Sequence, residues 1–147
     1  MRVLAATLIS TFCLVSLFAC SKPPQPPAGR WEGAYESNGT MVVARLEIMP
    51  NGSIYVSAPD AENVAAADGP ALRRRLAQQL ADRWGAVEPR KMDFDGHIFR
   101  KPGGIAPQME WDSGSKRMTL VVYLGMRPGI RIPLRAVSDF DPDPWKS

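Results

Sequence analysis

Tight-turn signals punctuate this chain: Ser37-Asn38-Gly39, Asn51-Gly52, Asp95-Gly96, Asp112-Ser113-Gly114-Ser115 and Pro128-Gly129 each separate apolar-rich runs. Asn-Gly and Asp-Gly accept the positive φ that a two-residue hairpin demands, so the runs flanking them pair as antiparallel neighbours. A chain with this punctuation has few options beyond a meander of short strands.

The runs themselves read as strands: Trp31–Glu36, Met41–Met49, Ser53–Ala58, Arg90–Phe94, His97–Arg100, Gln108–Trp111, Met118–Leu124 and Ile130–Ala136. In the second, Val42, Ala44, Leu46 and Ile48 share one face and Arg45 and Glu47 the other. "MTLVVYL", Met118 to Leu124, is apolar on both faces and is expected to be the most buried strand. Ile130, Ile132, Leu134 and Ala136 alternate with Arg131, Pro133 and Arg135. Pro133 lacks an N–H, which predicts an edge position or a bulge. One helix interrupts the strands. Asp68-Gly69-Pro70 supplies a start and Gly85 a stop. Leu72, Leu76, Leu80 and Trp84, with Ala77 and Ala81, form its apolar face. A helix this short needs the sheet to cover its leucines. The expected fold is mainly β (α+β): a curved antiparallel sheet or small β-barrel of about eight strands, with one amphipathic helix inserted midway.

The length of 147 residues fits one domain. A formal charge of +3 falls well short of a nucleic-acid footprint, so no nucleic-acid partner is expected. The N-terminus does not belong to the fold. Met1-Arg2 carries one positive charge, and Val3 to Phe18 is uncharged and mostly apolar. This run falls short of the roughly 20 residues needed to span a bilayer and has the pattern of a secretory signal. Ser21 to Ala28, "SKPPQPPA", favours extended polyproline II geometry and would reach roughly 25 Å as a stalk. The expected organisation is therefore a removable leader over 1–19, a spacer over 20–28 and one globular β-rich domain over 29–147.

Leu17-Phe18-Ala19-Cys20 resembles the lipobox of bacterial lipoprotein precursors. The resemblance implies cleavage between Ala19 and Cys20 and lipid attachment at the Cys20 sulfur. Two or more acyl chains would make a permanent membrane anchor. In that family Ser21 implies transfer to an outer membrane, facing the periplasm. Cys13 would leave with the leader, so the mature domain would hold neither disulfide nor free thiol. A second, shorter resemblance lies at Gly29-Arg30-Trp31. It is similar to the start of lipocalin-type barrels, where the Trp closes one barrel end beneath an Arg of the last strand. Arg135 is the position that this resemblance would assign to the partner.

Candidate chemistry is sparse. His97 is the one histidine. With Asp93 and Asp95 it is the only general-base candidate, and no nucleophile motif stands beside it. No catalytic residue, metal site or cofactor is assigned. Asp139-Phe140-Asp141-Pro142-Asp143 begins as an EF-hand loop does but lacks its glycine and final glutamate. It reads as an acidic tail pinned by Phe140 and Trp145. Arg74, Arg75 and Arg83 are the candidate ligand or partner surface, by electrostatic contact with an anionic polymer or headgroup. "RKPGGIAP", Arg100 to Pro107, reads as a structural turn between strands. The expected function is a membrane-anchored envelope lipoprotein whose non-catalytic domain binds an envelope protein, an anionic polymer or a small amphiphile. The alternative is a small envelope hydrolase or hydrolase inhibitor.

Overall fold

The computed structural model describes residues 23–58, 62–63, 69–124 and 127–146. The expected leader over 1–19, the expected cleavage site and Cys20 lie outside the described residues, as do Asp60 and Asp68. The described chain forms β1 (Gly29–Ser37), β2 (Thr40–Ile48), β3 (Ser53–Ser57), β4 (Glu62–Asn63), α1 (Gly69–Trp84), β5 (Arg90–Lys91), β6 (Asp93–Phe94), β7 (Ile98–Arg100), β8 (Met109–Asp112), β9 (Arg117–Leu124) and β10 (Arg127–Val137). All the pairings are antiparallel. Nine strands follow one path, β5-β3-β2-β1-β10-β9-β8-β7-β6, and β4 adds to β2.

The two ends of that path are β5 and β6, which only Met92 separates in sequence. The run Arg90–Phe94 is thus two strands facing opposite ways around the sheet. The chain crosses from one edge to the other through a single residue, giving a nearly closed barrel. Closing the path in this way leaves only two-residue strands at its ends, short edges for pairing with other chains.

Alternation sets what fills the barrel. Trp31, Val42, Ala44, Leu46, Ile48, Ile54, Phe99, Met109, Met118, Ile132 and Leu134 point inward and are buried. Trp31 meets Trp111 edge-on at 5.3 Å, and Phe94 stacks on Phe99 at 4.3 Å. The interior void among Ile54, Met92 and Met109 holds about 50 Å³, room for one or two waters at roughly 30 Å³ each.

The helix lies outside. Leu72, Leu76 and Leu80 cover Met41 and Val43, which point outward from β2. Each buried leucine contributes roughly 2 kcal/mol. The C-terminal segment then crosses the same outer face. Phe140 meets Trp84 edge-on at 4.6 Å, and Trp145 packs on the helix–β2 cluster.

Three expectations are corrected, and the one for the Pro133 strand is met in its second form, a bulge in β10. The most buried strand is β2 and not β9, because helix and tail cover the outer face of β2. Ala81 is exposed and not on the apolar face. Pro128-Gly129 is no turn. It lies inside β10, where a bulge falls between Pro128 and Ile130. Pro133 sits in a central strand, but at the point where the β1 ladder has ended, since β1 pairs only with Arg135, Ala136 and Val137. The missing N–H therefore breaks no rung to β1. The hairpin turns form where expected at Asn38-Gly39, both with positive φ, and at Gly52 and Gly96.

Candidate functional site

The outer face carries one buried polar rung. Antiparallel register sets Glu32 opposite Arg45 on β2 and opposite Arg135 on β10. Glu32 is fully buried and Arg45 is 5% exposed. Glu32 Oε1 accepts from Arg135 Nη2 at 2.9 Å, and Oε2 accepts from the Asp141 backbone N–H at 3.1 Å. Arg45 Nη2 donates to the Asp141 carbonyl at 2.7 Å. Its Nε lies 4.0 Å from Glu32 Oε2, beyond hydrogen-bond reach, with no other acceptor among the described residues. Burial pushes the Arg45 guanidinium down from its ordinary range, and Glu32, Asp139 and Asp141 pull it back up. Arginine still keeps its charge at neutral pH.

The tail is built to sit on this rung. Asp139, Asp141 and Asp143 each accept a backbone N–H from one or two residues further on, which fixes the turns of the segment. Phe140 lies beneath both Arg30 and Arg45, at 5.6 and 5.0 Å from the ring centre. Trp145 Nε1 donates to the Arg73 carbonyl, and the Arg73 guanidinium lies over its ring at 5.4 Å. An acidic, aromatic, proline-rich segment is therefore held on a basic face by cation–π contact and charge.

Beside the tail runs a groove of about 790 Å³. Its floor is the outer face of β1, β10 and β9, with Ala34, Pro133 and Thr119. Its wall is Arg73, Trp145 and Lys146. Gly33 lets the floor form. A Cβ there would lie 2.1 Å from the Pro133 carbonyl oxygen, so only glycine permits this approach of β10 to β1. Five cations and two carboxylates line the groove. Both carboxylates are already engaged, Glu36 by Arg73 at 2.5 Å and Glu32 by Arg135. Lys116, Arg117 and Lys146 face the groove with no ion-pair partner within 4 Å among the described residues.

The anticipated residues are placed differently. Arg74 lines the other side of the tail, in a second groove with Ala77, Ala81 and Pro142. Nine positions separate Arg74 from Arg83, which puts them about 180° apart around the helix. Arg75 is exposed about 100° from Arg74. The three arginines therefore do not converge on one spot. Arg73, their neighbour, reaches the main groove. His97 is exposed on the β6–β7 turn. Asp95 beside it accepts from the backbone N–H groups of His97 and Ile98 and from Arg100. Those hydrogen bonds, the His97 amide first, hold its carboxyl down at about 2. A carboxylate so stabilised is a turn cap and a poor proton acceptor near neutral pH. Arg135 points outward to Glu32, while Trp31 lies on the opposite, inner face. The Arg-over-Trp closure of the lipocalin resemblance is therefore not formed by this pair. The 100–107 segment is a turn, with Gly104 N–H donating to the Lys101 carbonyl and Ile105 exposed at its tip.

The rung and the groove escape sequence reading because they depend on pairing. Glu32, Arg45 and Arg135 are each legible as outward-facing charges. Only the β2-β1-β10 order makes them neighbours. In comparison with known proteins, no family model, no curated protein and no solved structure matches this chain.

Proposed function

We propose that this protein is a non-catalytic binding domain held at a bacterial envelope membrane by lipid on Cys20, and that it takes its ligand on the outer face of the barrel. The observation that carries the second part is the contrast in room. The pocket among Ile54, Met92 and Met109 holds about 50 Å³ and the outer groove about 790 Å³, the latter within the usual range for ligand sites. The groove combines an indole wall, small apolar floor residues and a few cations, the mixture that binding sites use.

The N-terminal segment fits a tether. Pro24 rests 3.6 Å from where a Gly96 Cβ would stand, so the proline stretch meets the barrel at the β6–β7 turn. Pro24 lies four positions after Cys20, at most about 14 Å of chain. The spacer is then shorter than the full stalk, and the barrel end bearing the 95–97 turn would face the membrane.

The two parts are tested separately. Cys20→Ala should abolish incorporation of labelled fatty acid and leave an unprocessed precursor; continued labelling refutes the anchor. Thr119→Trp fills the groove floor without touching the core. It should release whatever copurifies with the full chain in native mass spectrometry, and an unchanged ligand peak refutes the outer-face site.

A further inference from the structure

We infer that the outer groove docks an extended acidic segment of a partner protein. This rests on the reading of that groove as the binding surface, and adds the chemistry of its occupant. Three observations lead to it. The first is charge. Lys116 and Lys146 line the groove with no ion-pair partner within 4 Å among the described residues, and Arg117, opposite Asp112 on β8, makes no close ion pair either. Both lining carboxylates are spent on Arg73 and Arg135. The groove therefore carries an excess of positive charge that calls for an anion.

The second is spacing. The cations do not converge on one point as they would around a single phosphate. Arg117 adjoins Arg135 at the β9–β10 end, level with Glu32, whereas Arg73 meets Glu36 four residues further along β1. At about 3.3 Å per residue the two ends are roughly 13 Å apart. An extended chain spans that distance, with a carboxylate at the Lys116–Arg117 end and its further residues running toward the Arg73–Glu36 pair. The floor between them, Ala34 and Pro133, is small and lets a backbone lie close.

The third is precedent within the molecule. The same face already binds the segment Asp139–Trp145, using arginines against aromatic rings and backbone amides against a buried carboxylate. Trp145 is the shared wall. It packs on the helix from one side and lines the groove from the other. A second acidic, aromatic segment would find beside the tail the contacts that the tail itself uses. The pairing of Arg73 and Arg135 with β1 carboxylates on floor and wall makes a channel for a chain, a poor match for a flat bilayer surface.

The test uses the full chain in phosphatidylcholine nanodiscs and a fluorescein-labelled peptide of alternating Asp and Tyr, about ten residues long. The comparison peptide carries Ser for Asp. Anisotropy should show saturable binding of the acidic peptide. It should weaken at least tenfold between about 50 and 300 mM salt. The double variant Lys116→Glu/Arg117→Glu should lose at least tenfold, and Arg90→Glu/Lys91→Glu, on β5, should lose nothing. Far-UV circular dichroism checks that each variant is folded. Equal binding of both peptides, abolished by Thr119→Trp but untouched by charge reversal, overturns the acidic occupant and keeps the groove as a site. Failure of the acidic peptide to bind overturns the inference. So does binding of vesicles with about one quarter phosphatidylglycerol through Lys116 and Arg117 while the acidic peptide stays free.

Discussion

Replacing Glu32 by Gln tests the central electrostatic claim with almost no change of shape. The side chain is fully buried, and so nearly is Arg45, so removing the negative charge leaves a guanidinium in a poorly solvated site. Removing one partner of a buried pair typically costs about 3–5 kcal/mol. Two features pull the value to the lower end. Arg45 keeps its bond to the Asp141 carbonyl and its place over Phe140, and Arg135 is 41% exposed and can be hydrated. The expected loss is about 3 kcal/mol. With an unfolding entropy near 2.1 cal/mol/K per residue, this lowers the midpoint by roughly 12 °C for a domain of this size. Urea unfolding of the full chain in neutral detergent, followed by tryptophan fluorescence, reads the loss directly. The second arm is Arg45→Met. Alone it takes one of two cations from Glu32, which keeps Arg135 and the Asp141 amide, and should cost less, about 2 kcal/mol, yet in the Glu32→Gln background it should restore about 2 kcal/mol, because no buried charge is left uncompensated. Simple additivity of the two changes, or a Glu32→Gln variant within about 1 kcal/mol of the parent, would refute the coupled rung.

Three other outcomes follow from named contacts. Gly33→Ala drives a Cβ to 2.1 Å from the Pro133 carbonyl. It should cost at least about 3 kcal/mol in the same unfolding assay, the upper range for overpacking. Phe140→Ala removes one aromatic pair and two cation–π contacts. It should cost about 2 kcal/mol and speed proteolysis of the tail. Asp95 has its carboxyl lowered from 3.8 to about 2. Its stabilisation is therefore complete above the unfolded value near 4 and is lost as pH falls through about 2. Asp95→Asn should sit below the parent in melting temperature at pH 6, and the gap should close by pH 2. A gap that widens in acid contradicts the turn-cap role.

Alternation and turn chemistry carried the strand pattern, because both are local. Asn38-Gly39, Asn51-Gly52 and Asp95-Gly96 behave as hairpin turns. The helix lies where its leucines and flanking glycines indicated. Pro128-Gly129 misled because a Gly inside a strand signals a bulge as readily as a turn, and only the pairing with Tyr123 and Val122 tells them apart. β9 and β2 were ranked wrongly for a similar reason. Outward residues of β2 include Arg45 and Glu47, which read as solvent-facing until helix and tail are seen to cover them. Of the site, Phe140 and Trp145 are legible as pins, whereas Arg74, Arg75 and Arg83 do not gather into one surface. Glu32 is legible as an outward charge but not as a buried one, and Lys116 does not stand out by type or spacing. Their importance comes from strands distant in sequence.

The placement of the groove follows from how the barrel closes. Nine strands in a ring of this size leave an interior that their own side chains fill, and Trp31, Phe99 and Met118 do so. Met92 brings the two ends of the strand path together, so little open edge is presented there. The largest groove described lies on the outer surface. There the helix and tail cover β2 and stop at β1. The boundary falls beside Pro133, where the rungs between β1 and β10 end. Pro133 has no N–H to continue them, and Gly33 lets the two strands approach closely at that point. The same two residues that look like defects in a strand pattern shape the floor of the groove.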